Sequence, residues 1–351
     1  MNADTSTNER GFSVVEILIA LAISMLVMSS VFLLLQRGQE TFQREPEVAA
    51  MNGNTRSALD RLTEDLMVAG FQTPPSTAVL WSDGGGNAPD ALTVLYSDPD
   101  VPVARPKGCK EPCGTTVGTG ATLSLDPGTF SYQPPDFEQA FAEGMTLVAL
   151  QGANGDPACE NVAPGILFFE IMGEPTCSGS GGLGRGAGAC GTLNLSIRPS
   201  TSSGLSLPSG FESDVMVDCA VVGRFHVVQY RVHPAQSPSL ERRDLALNEP
   251  WSSVAANIEN LQVQYVQGLS EDFLDAPSAP PQESDPSSWL TRVRVTVSGR
   301  SESANLQGGS SGVFAAEDTH LRRAFTTTVS LRNQLGQAQA KALELGLPGW
   351  N

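Results

Sequence analysis

Residues 11–35 constrain this chain most, because a run long enough to cross a membrane begins with a single acid. The run from Ile17 to Leu35 contains no charged residue and is long enough to span a bilayer as a helix. Glu16 is the one ionisable side chain in residues 11–35, and placing a carboxylate in hydrocarbon costs about 2 to 3 kcal/mol. An acid at this position predicts a functional role and a partner for its carboxylate.

Two simpler interpretations account for only part of this segment. A secretory signal peptide has a basic leader, a short apolar core and a small-residue cleavage motif. The leader from Met1 to Arg10 instead carries Asp4 and Glu9, and no such motif follows the apolar run. A plain transmembrane anchor explains the length of the run, but it explains neither Glu16 nor the Gly11-Phe12 pair at its border.

Charge and length narrow the class of protein. The 351 residues include 21 Lys and Arg against 38 Asp and Glu, a formal net charge of −17. Because phosphate binding needs a basic surface, nucleic acid is not an expected partner. The part of the chain that follows the apolar run is large enough for one big or two small domains with real cores.

All six cysteines lie beyond the apolar run, at Cys109, Cys113, Cys159, Cys177, Cys190 and Cys219. An even number on the exported side predicts up to three disulfides, whose pairing the sequence leaves open. The spacing of the first two resembles that of a zinc site, but no second pair of ligands follows, so no metal is expected. We expect the disulfides to staple two loops rich in Gly, Pro and Ser, at residues 99–115 and 173–211.

The helical pattern continues past the apolar run. We divide the stem into an apolar half at residues 12–36 and an amphipathic half at residues 37–70, where Pro46 is expected to kink or restart the helix and Gly70 to end it. Four apolar residues at helical spacing are predicted to face a globular head: Leu59, Leu62, Leu66 and Met67. The charged residues placed mostly on the opposite face are Arg56, Asp60, Arg61, Glu64 and Asp65.

From residue 71 onward the pattern alternates, as in strands. The predicted strands are residues 78–81, 91–96, 145–150, 166–172, 215–222, 225–232, 258–266, 291–297 and 324–331. We therefore predict an α+β fold, with the stem packed on antiparallel sheet in a head of residues 71–333. Residues 334–351 are a C-terminal tail, in which residues 337–347 either form a short helix through Ala338, Ala342 and Leu345 or fray.

Several motif matches carry no catalytic or cofactor site. Gly179–Gly184 has the spacing of a dinucleotide-binding loop but leads into more glycine rather than a helix. Gly308–Gly312 has the spacing of a nucleophile elbow, with His320 downstream, but lies in a flexible Ser/Gly stretch. The acidic turns at residues 83–90 and 98–100 lack the ligand spacing of an EF-hand. We expect no catalytic residues, no cofactor and no metal.

Gly11, Phe12 and Glu16 together resemble the class III signal of type IV pilins and pseudopilins. In that family a prepilin peptidase cuts after the glycine, the new terminal Phe is methylated, and the glutamate neutralises the terminal amine of a neighbouring subunit. The resemblance assigns residues 1–11 to the leader, Arg10, Gly11 and Phe12 to processing, and Phe12 with Glu16 to assembly. It also implies stem packing through Leu18, Leu21, Leu26 and Leu34.

Later segments resemble one subgroup of this family. Residues 54–71 are similar to the stem of PilW-type minor pilins, which ends in Ala-Gly-aromatic, and residues 254–265, 292–300 and 322–333 follow the strand order of that group. The resemblance covers residues 9–72 and 225–333 and leaves the middle unmatched.

This resemblance implies a minor pilin that primes a type IV pilus and is incorporated in it, in a tip complex with other minor pilins. The implied partners are the other minor pilins, the major pilin, the prepilin peptidase, the inner-membrane assembly platform and a tip adhesin. The subunit would cross the inner membrane once with its head in the periplasm, and reach the cell surface after assembly. The alternatives are the J-type pseudopilin of a type II secretion system and a membrane-tethered enzyme or receptor.

Overall fold

The computed structural model describes residues 13–110, 121–132, 134, 136–152, 159, 162–179, 190–200, 205, 207–209, 211, 215, 217–277, 280–282, 284–303 and 320–347. Within these ranges, a long N-terminal helix packs against antiparallel β-sheets. The predicted α+β class is therefore confirmed.

Helix α1 runs without a break over Val14–Val68 and has 55 residues. At 1.5 Å per residue it is about 80 Å long. The prediction that Pro46 restarts the helix was wrong, since Pro46 lies inside α1. Proline removes one backbone donor, and Pro46 is exposed, so water can hydrate the carbonyl group that loses its partner.

The C-terminal half of α1 buries one stripe of side chains against the head. The stripe consists of Met51, Thr55, Ala58, Leu59, Leu62, Asp65, Leu66 and Ala69. Two expectations differ from this result: Met67 is 47% exposed, whereas Asp65 is only 4% exposed. Asp65 lies three residues after Leu62 and four before Ala69, which places it on the buried stripe. Gly70 ends the stem with a positive φ of 78°, as predicted for a cap glycine.

Two sheets form the face on which α1 lies. The five-stranded sheet contains, in spatial order, β1 (Val79–Ser82), β2 (Ala91–Ser97), β10 (Phe225–His233), β11 (Ser239–Asp244) and β12 (Ser252–Ala256). The three-stranded sheet contains β13 (Ile258–Gln267), β14 (Leu290–Arg300) and β15 (Arg322–Ser330). Every pairing within them is antiparallel. The helix approaches β14 so closely that a Cβ at Gly299 would lie 2.3 Å from Thr55 Oγ1, so only glycine fits there.

The described residues between 99 and 223 form a separate closed unit, here called the barrel. Its strands, in spatial order, are β3 (Pro106–Lys110), β4 (Ala121–Leu125), β8 (Thr192–Pro199), β6 (Gly165–Ile171), β5 (Thr146–Gln151) and β9 (Ala220–Gly223). A short strand, β7 (Thr176–Ser178), pairs with β8. Ala104 and Val222 exchange two backbone hydrogen bonds of 2.8 Å. Because Ala104 leads directly into β3, these bonds join the first strand to the last and close the barrel.

The three largest apolar layers among the described residues connect the stem, the sheets and the barrel. The stem layer joins Leu62 and Leu66 of α1 to both open sheets. The barrel has its own interior, filled by side chains such as Leu123, Phe169 and Leu195. The third layer lies between the barrel and the five-stranded sheet.

The two segments predicted as loops contain strands. Strand β3 lies within residues 99–115, and β7 and β8 lie within residues 173–211. In β8 the side chains of Leu193, Leu195 and Ile197 alternate into the barrel core, a period-2 pattern that outweighs the Gly and Ser content of its surroundings. Strands β4, β11 and β12 were also not predicted, and the strand expected at residues 215–222 is reduced to β9 after a 3₁₀ turn at Val217–Cys219.

Two further helices complete the described chain. Helix α2 is a single turn at Phe137–Ala140. Helix α3, Arg332–Glu344, begins before the predicted tail helix and buries Ala338 and Ala342 against Trp289. Leu345 is 49% exposed, so it does not belong to the buried face that the sequence suggested.

Candidate functional site

The start of α1 is a capping box that contains Glu16. The Val15 N–H donates to Ser13 Oγ at 3.3 Å, and the Ser13 N–H donates to Glu16 Oε2 at 3.3 Å. These bonds satisfy two of the orphan donors of the first turn. The acid that the sequence singled out therefore lies at the N-terminal end of the helix, where a negative charge is favoured by the helix dipole.

The residues predicted for processing and amine pairing, Arg10, Gly11 and Phe12, lie outside the described residues. Sequence reasoning missed Ser13 as the partner of Glu16, although Ser followed three positions later by Glu is the pattern of a capping box. Ser13 directly follows Phe12, the predicted new terminus, and its N–H binds the carboxylate of Glu16.

The apolar half of α1 contacts nothing else in the described chain. Residues Val14–Leu35 form a 22-residue helical segment with the length and composition to cross a membrane, and none of it is buried. The four predicted packing residues, Leu18, Leu21, Leu26 and Leu34, are 48% to 73% exposed. So much bare apolar surface requires lipid or neighbouring apolar helices around it.

Two serines within this apolar half form hydrogen bonds with the backbone of the helix itself. The Ser29 hydroxyl donates to the Met25 carbonyl at 2.8 Å, and the Ser30 hydroxyl donates to the Val27 carbonyl at 2.7 Å. Hydroxyl groups that bond back to the helix carry no unpaired donor into hydrocarbon. These two serines are therefore compatible with the apolar surroundings that the helix needs.

A buried ionic cluster fixes the upper end of the stem to the head. Asp65 Oδ2 accepts hydrogen bonds from the Tyr230 hydroxyl at 2.5 Å and from Arg242 Nε at 2.9 Å. Arg61 Nη2 lies 3.7 Å from Asp65 Oδ1. Charge-assisted bonds of this kind are about twice as strong as neutral ones, so this cluster, called the upper clamp, orients the stem on the five-stranded sheet.

Burial and Asp65 together set the ionisation of Tyr230 and Arg242, the two head residues of the clamp. Burial, followed by the charge of Asp65 and its hydrogen bond, raises the pKa of Tyr230. Burial opposes the charge of Arg242, but the hydrogen bond and the charge of Asp65 outweigh it and raise its pKa. Tyr230 therefore acts as a neutral donor, and Arg242 stays charged.

A second contact, called the lower clamp, holds the stem at its membrane-proximal side. The Glu47 carboxylate accepts hydrogen bonds from the Ser303 hydroxyl at 2.6 Å, from the Ser303 N–H at 3.3 Å and from the Glu302 N–H at 2.9 Å. The Ser303 hydroxyl bond is the main cause that lowers the pKa of Glu47. Glu47 and Asp65 are 18 residues apart, which is about five helical turns, so both clamps lie on one face of α1.

A cluster of charged side chains surrounds His226, where the barrel joins the five-stranded sheet. His226 Nδ1 is 2.6 Å from Asp244 Oδ2, and His226 Nε2 is 3.9 Å from Asp98 Oδ2. Asp98 Oδ2 also lies 3.4 Å from Arg224 Nη1. In a hydrolytic triad the second ring nitrogen faces a nucleophile, whereas here it faces a carboxylate. The arrangement is that of a structural ion network.

The acidic turn at residues 83–90 is an internal hydrogen-bonding turn. Asp90 accepts from the Gly84 N–H at 3.0 Å and from the Val263 N–H at 2.7 Å, and burial raises its pKa. Its oxygens are thus used by backbone donors that bind the turn to β13. Among the described residues, no group of three or more acidic, His or Cys side chains is placed to hold a metal ion.

The structure joins four of the cysteines in two disulfides, Cys159–Cys219 and Cys177–Cys190. Both bonds lie within the barrel, and all six cysteines fall inside residues 99–223. Cys113 lies outside the described residues, and so do most of the two glycine-rich motifs, at residues 180–184 and 308–312.

An apolar helix that begins with the capping box of Ser13 and Glu16 and continues as a stem across antiparallel sheets defines a pilin-like α+β protein. The family model for the prokaryotic N-terminal methylation motif matches residues 6–32, so the chain carries this motif. The motif implies processing by a prepilin peptidase, and the matched stretch includes Arg10, Gly11, Phe12 and Glu16.

Among solved structures, a type IV-like pilin from Thermus thermophilus matches the chain with 8% sequence identity and a TM-score of 0.19. The match covers 56% of this chain and 92% of that chain. No curated protein shows significant sequence similarity to the chain.

Proposed function

We propose that this protein is a minor pilin that helps to prime assembly of a type IV pilus and is incorporated in it, in a tip complex with other minor pilins. The observation that carries the proposal is the bare apolar helix Val14–Leu35, which starts at the Glu16 capping box and continues into a clamped stem. A helix exposed in this way suits lipid before assembly and neighbouring stems after it.

In this mechanism the chain performs no covalent chemistry. The prepilin peptidase cuts after Gly11, and the new Phe12 amine is a positive charge at the border of the membrane. An unpaired charge there is as costly as the unpaired Glu16 carboxylate, and pairing the two between subunits lowers both costs. Because the helix is continuous with the head, the pairing sets the axial position of the whole subunit.

Glu16 exchanges one set of contacts for another in this scheme. In the single chain its carboxylate accepts from the Ser13 N–H, a bond of capping-box type that is modest in energy. A charged amine from a neighbouring subunit is a stronger partner. The capping box therefore holds the acid near the helix start until that partner arrives.

The test is mass spectrometry of the N-terminal peptide in filaments sheared from cells, with whole membranes measured alongside. We expect a peptide that begins at N-methylated Phe12 in the sheared fraction. A chain with its leader intact in membranes and absent from filaments would contradict the proposal. Genes for secretion components beside this one, with a processed chain absent from pili, would favour the J-type pseudopilin.

A variant series sharpens the test. Glu16→Ala removes the acid and is expected to be processed normally but to be depleted from filaments. Ser13→Ala, which keeps the acid and removes only one bond of the capping box, is the matched control and is expected to lose much less incorporation. Equal incorporation of wild type and Glu16→Ala would show that the acid plays no part in assembly.

A further inference from the structure

The barrel is inserted into the head at a single corner. Strands β2 and β10 are direct neighbours in the five-stranded sheet, paired from Leu92 with Tyr230 to Ser97 with Phe225. The pairing continues one residue further, where the Asp98 N–H donates to the Arg224 carbonyl at 2.8 Å. Residues 99–223 therefore leave the sheet and return to it at adjacent positions, as a long excursion from one hairpin corner.

Inside this excursion the chain has what a folded unit needs. Its strands close on themselves through Ala104 and Val222, its interior is a separate apolar cluster, and both described disulfides connect barrel residues to each other. None of the barrel strands is needed to complete either of the sheets under the stem.

The stem and the barrel lie on opposite faces of the five-stranded sheet. Val94 and Val228 belong to the layer shared with α1. Their neighbours Leu95 and Val227 belong to the layer shared with Val148, Ile166 and Phe168 of the barrel. Because successive side chains of a strand point to opposite faces, this alternation fixes the order of layers as stem, sheet, barrel.

The outer wall of the barrel is polar. On β4 and β8 the outward side chains include Ser124 and Asn194, which share a hydrogen bond of 2.8 Å, and the exposed Ser196. Of the large apolar and aromatic side chains among the described barrel residues, Tyr132 alone is exposed, at 36%. A surface of this kind suits contact with water rather than the apolar packing of subunit interfaces.

We propose that the barrel is a display module, which faces outward from the assembled filament on the side opposite the stem and takes no part in packing between subunits. This inference rests on the proposed function, because it requires that stems bundle inside a filament. With the stems inside, the layer order places the five-stranded sheet around them and the barrel outermost. The polar wall of β4, β8 and β7 is then the surface that this subunit presents to its surroundings.

Labelling of intact filaments tests the placement. An azide-bearing residue replaces Ser196 on the barrel wall in one variant and Ser57 on the exposed face of the stem in another, so that no new thiol disturbs the disulfides. Each variant is treated with a bulky membrane-impermeant cyclooctyne dye, both as detergent-solubilised protein and in sheared filaments. Thr176 of β7, also exposed, provides a second barrel position.

We expect both sites to be labelled in detergent. In filaments, Ser196 and Thr176 should keep their labelling while Ser57 loses most of it. Loss of labelling at both barrel positions, matching the loss at Ser57, would overturn the display role while leaving the filament role intact. Absence of the chain from filaments would contradict the proposed function, and the display role with it.

Discussion

At the scale of single residues, the position of the stem on the head depends most on one buried charge, that of Asp65. Asp65 is 4% exposed and carries two hydrogen bonds and two ion pairs with Arg61, Tyr230 and Arg242. Removing one partner of a buried ion pair leaves the other charge unpaired. The upper clamp is therefore more sensitive to truncation than any exposed pair along the stem.

We predict that Asp65→Ala lowers the free energy of unfolding by about 3 to 5 kcal/mol, the usual cost of breaking a buried ion pair. Asp60→Ala, an exposed acid on the same helix, is the control and should stay within about 0.5 kcal/mol of wild type. Urea denaturation of the detergent-solubilised protein measures both. Equal effects of the two substitutions would show that the upper clamp adds no stability.

Gln334 has the opposite character, because it is buried without an evident gain. It is fully buried in the first turn of α3, and among the described residues neither amide atom has a hydrogen-bond partner. An unsatisfied buried amide costs about 1 to 3 kcal/mol. Gln334→Met, of similar shape, should therefore raise the unfolding midpoint, whereas Gln337→Met at an exposed position of α3 should not. A lower midpoint for Gln334→Met would mean that a polar partner, such as water, serves this amide.

At the scale of elements, the stem is held on the sheets at two points five turns apart. A slip of the helix by one turn would separate Asp65 from Arg242 and Glu47 from Ser303 together, while apolar contacts re-form more easily. Polar contacts of this type therefore select one register of α1. The glycine at position 299, which lets Thr55 approach β14, selects the same register.

The lower clamp predicts a specific dependence on pH. The hydrogen bond from Ser303 lowers the pKa of Glu47 below its ordinary value of 4.5, so the folded protein binds this proton less readily than the unfolded chain. The contribution to stability is thus complete above about pH 4.5 and is lost as the pH falls through the folded pKa. Glu47→Gln should lower the urea midpoint at pH 7 and have less effect near pH 3. Glu45→Gln, an exposed neighbour, should show no such trend.

The disulfides should stabilise the barrel and not the sheets under the stem. Cys159 and Cys219 close a loop of 60 residues, which in the chain-entropy model contributes about 4 kcal/mol. In the double variant Cys159→Ala, Cys219→Ala, amide hydrogen exchange should accelerate in β5 and β9 and remain unchanged in β13 to β15. Uniform acceleration of exchange through both regions would mean that the barrel and the sheets under the stem unfold as one unit.

At the scale of the whole molecule, the stem and the α+β class of the protein were predicted from the sequence because both depend on long periodic patterns. The apolar run, Glu16 and the cap at Gly70 are all local signals. The subgroup resemblance resumes at residue 225, and Phe225 is the first residue of β10. Most of the unmatched middle of the sequence, residues 73–224, therefore corresponds to the barrel, and the remainder includes β1 and β2.

Other parts of the structure depend on contacts that no local pattern contains. The charged residues around Asp65 are typical of a solvated helix face. Only the pairing of Asp65 with Arg242, 177 positions later, explains its burial. Strand β8 lies in a Gly- and Ser-rich region, and its partners β4 and β6 come from distant segments. Closure of the barrel through Ala104 and Val222 follows from strand order, which the sequence did not predict.

The corner between β2 and β10 also has a consequence for engineering. The chain leaves the sheet at Asp98 and returns at Arg224, one hydrogen bond apart, so whatever lies between them must begin and end at neighbouring points. It must also cover the apolar face of the sheet that Leu95 and Val227 now turn towards the barrel. Insertions at such a corner leave strand pairing on both sides intact. A different small domain that meets both requirements can take the place of residues 99–223, so this corner is a site at which a foreign domain can be grafted.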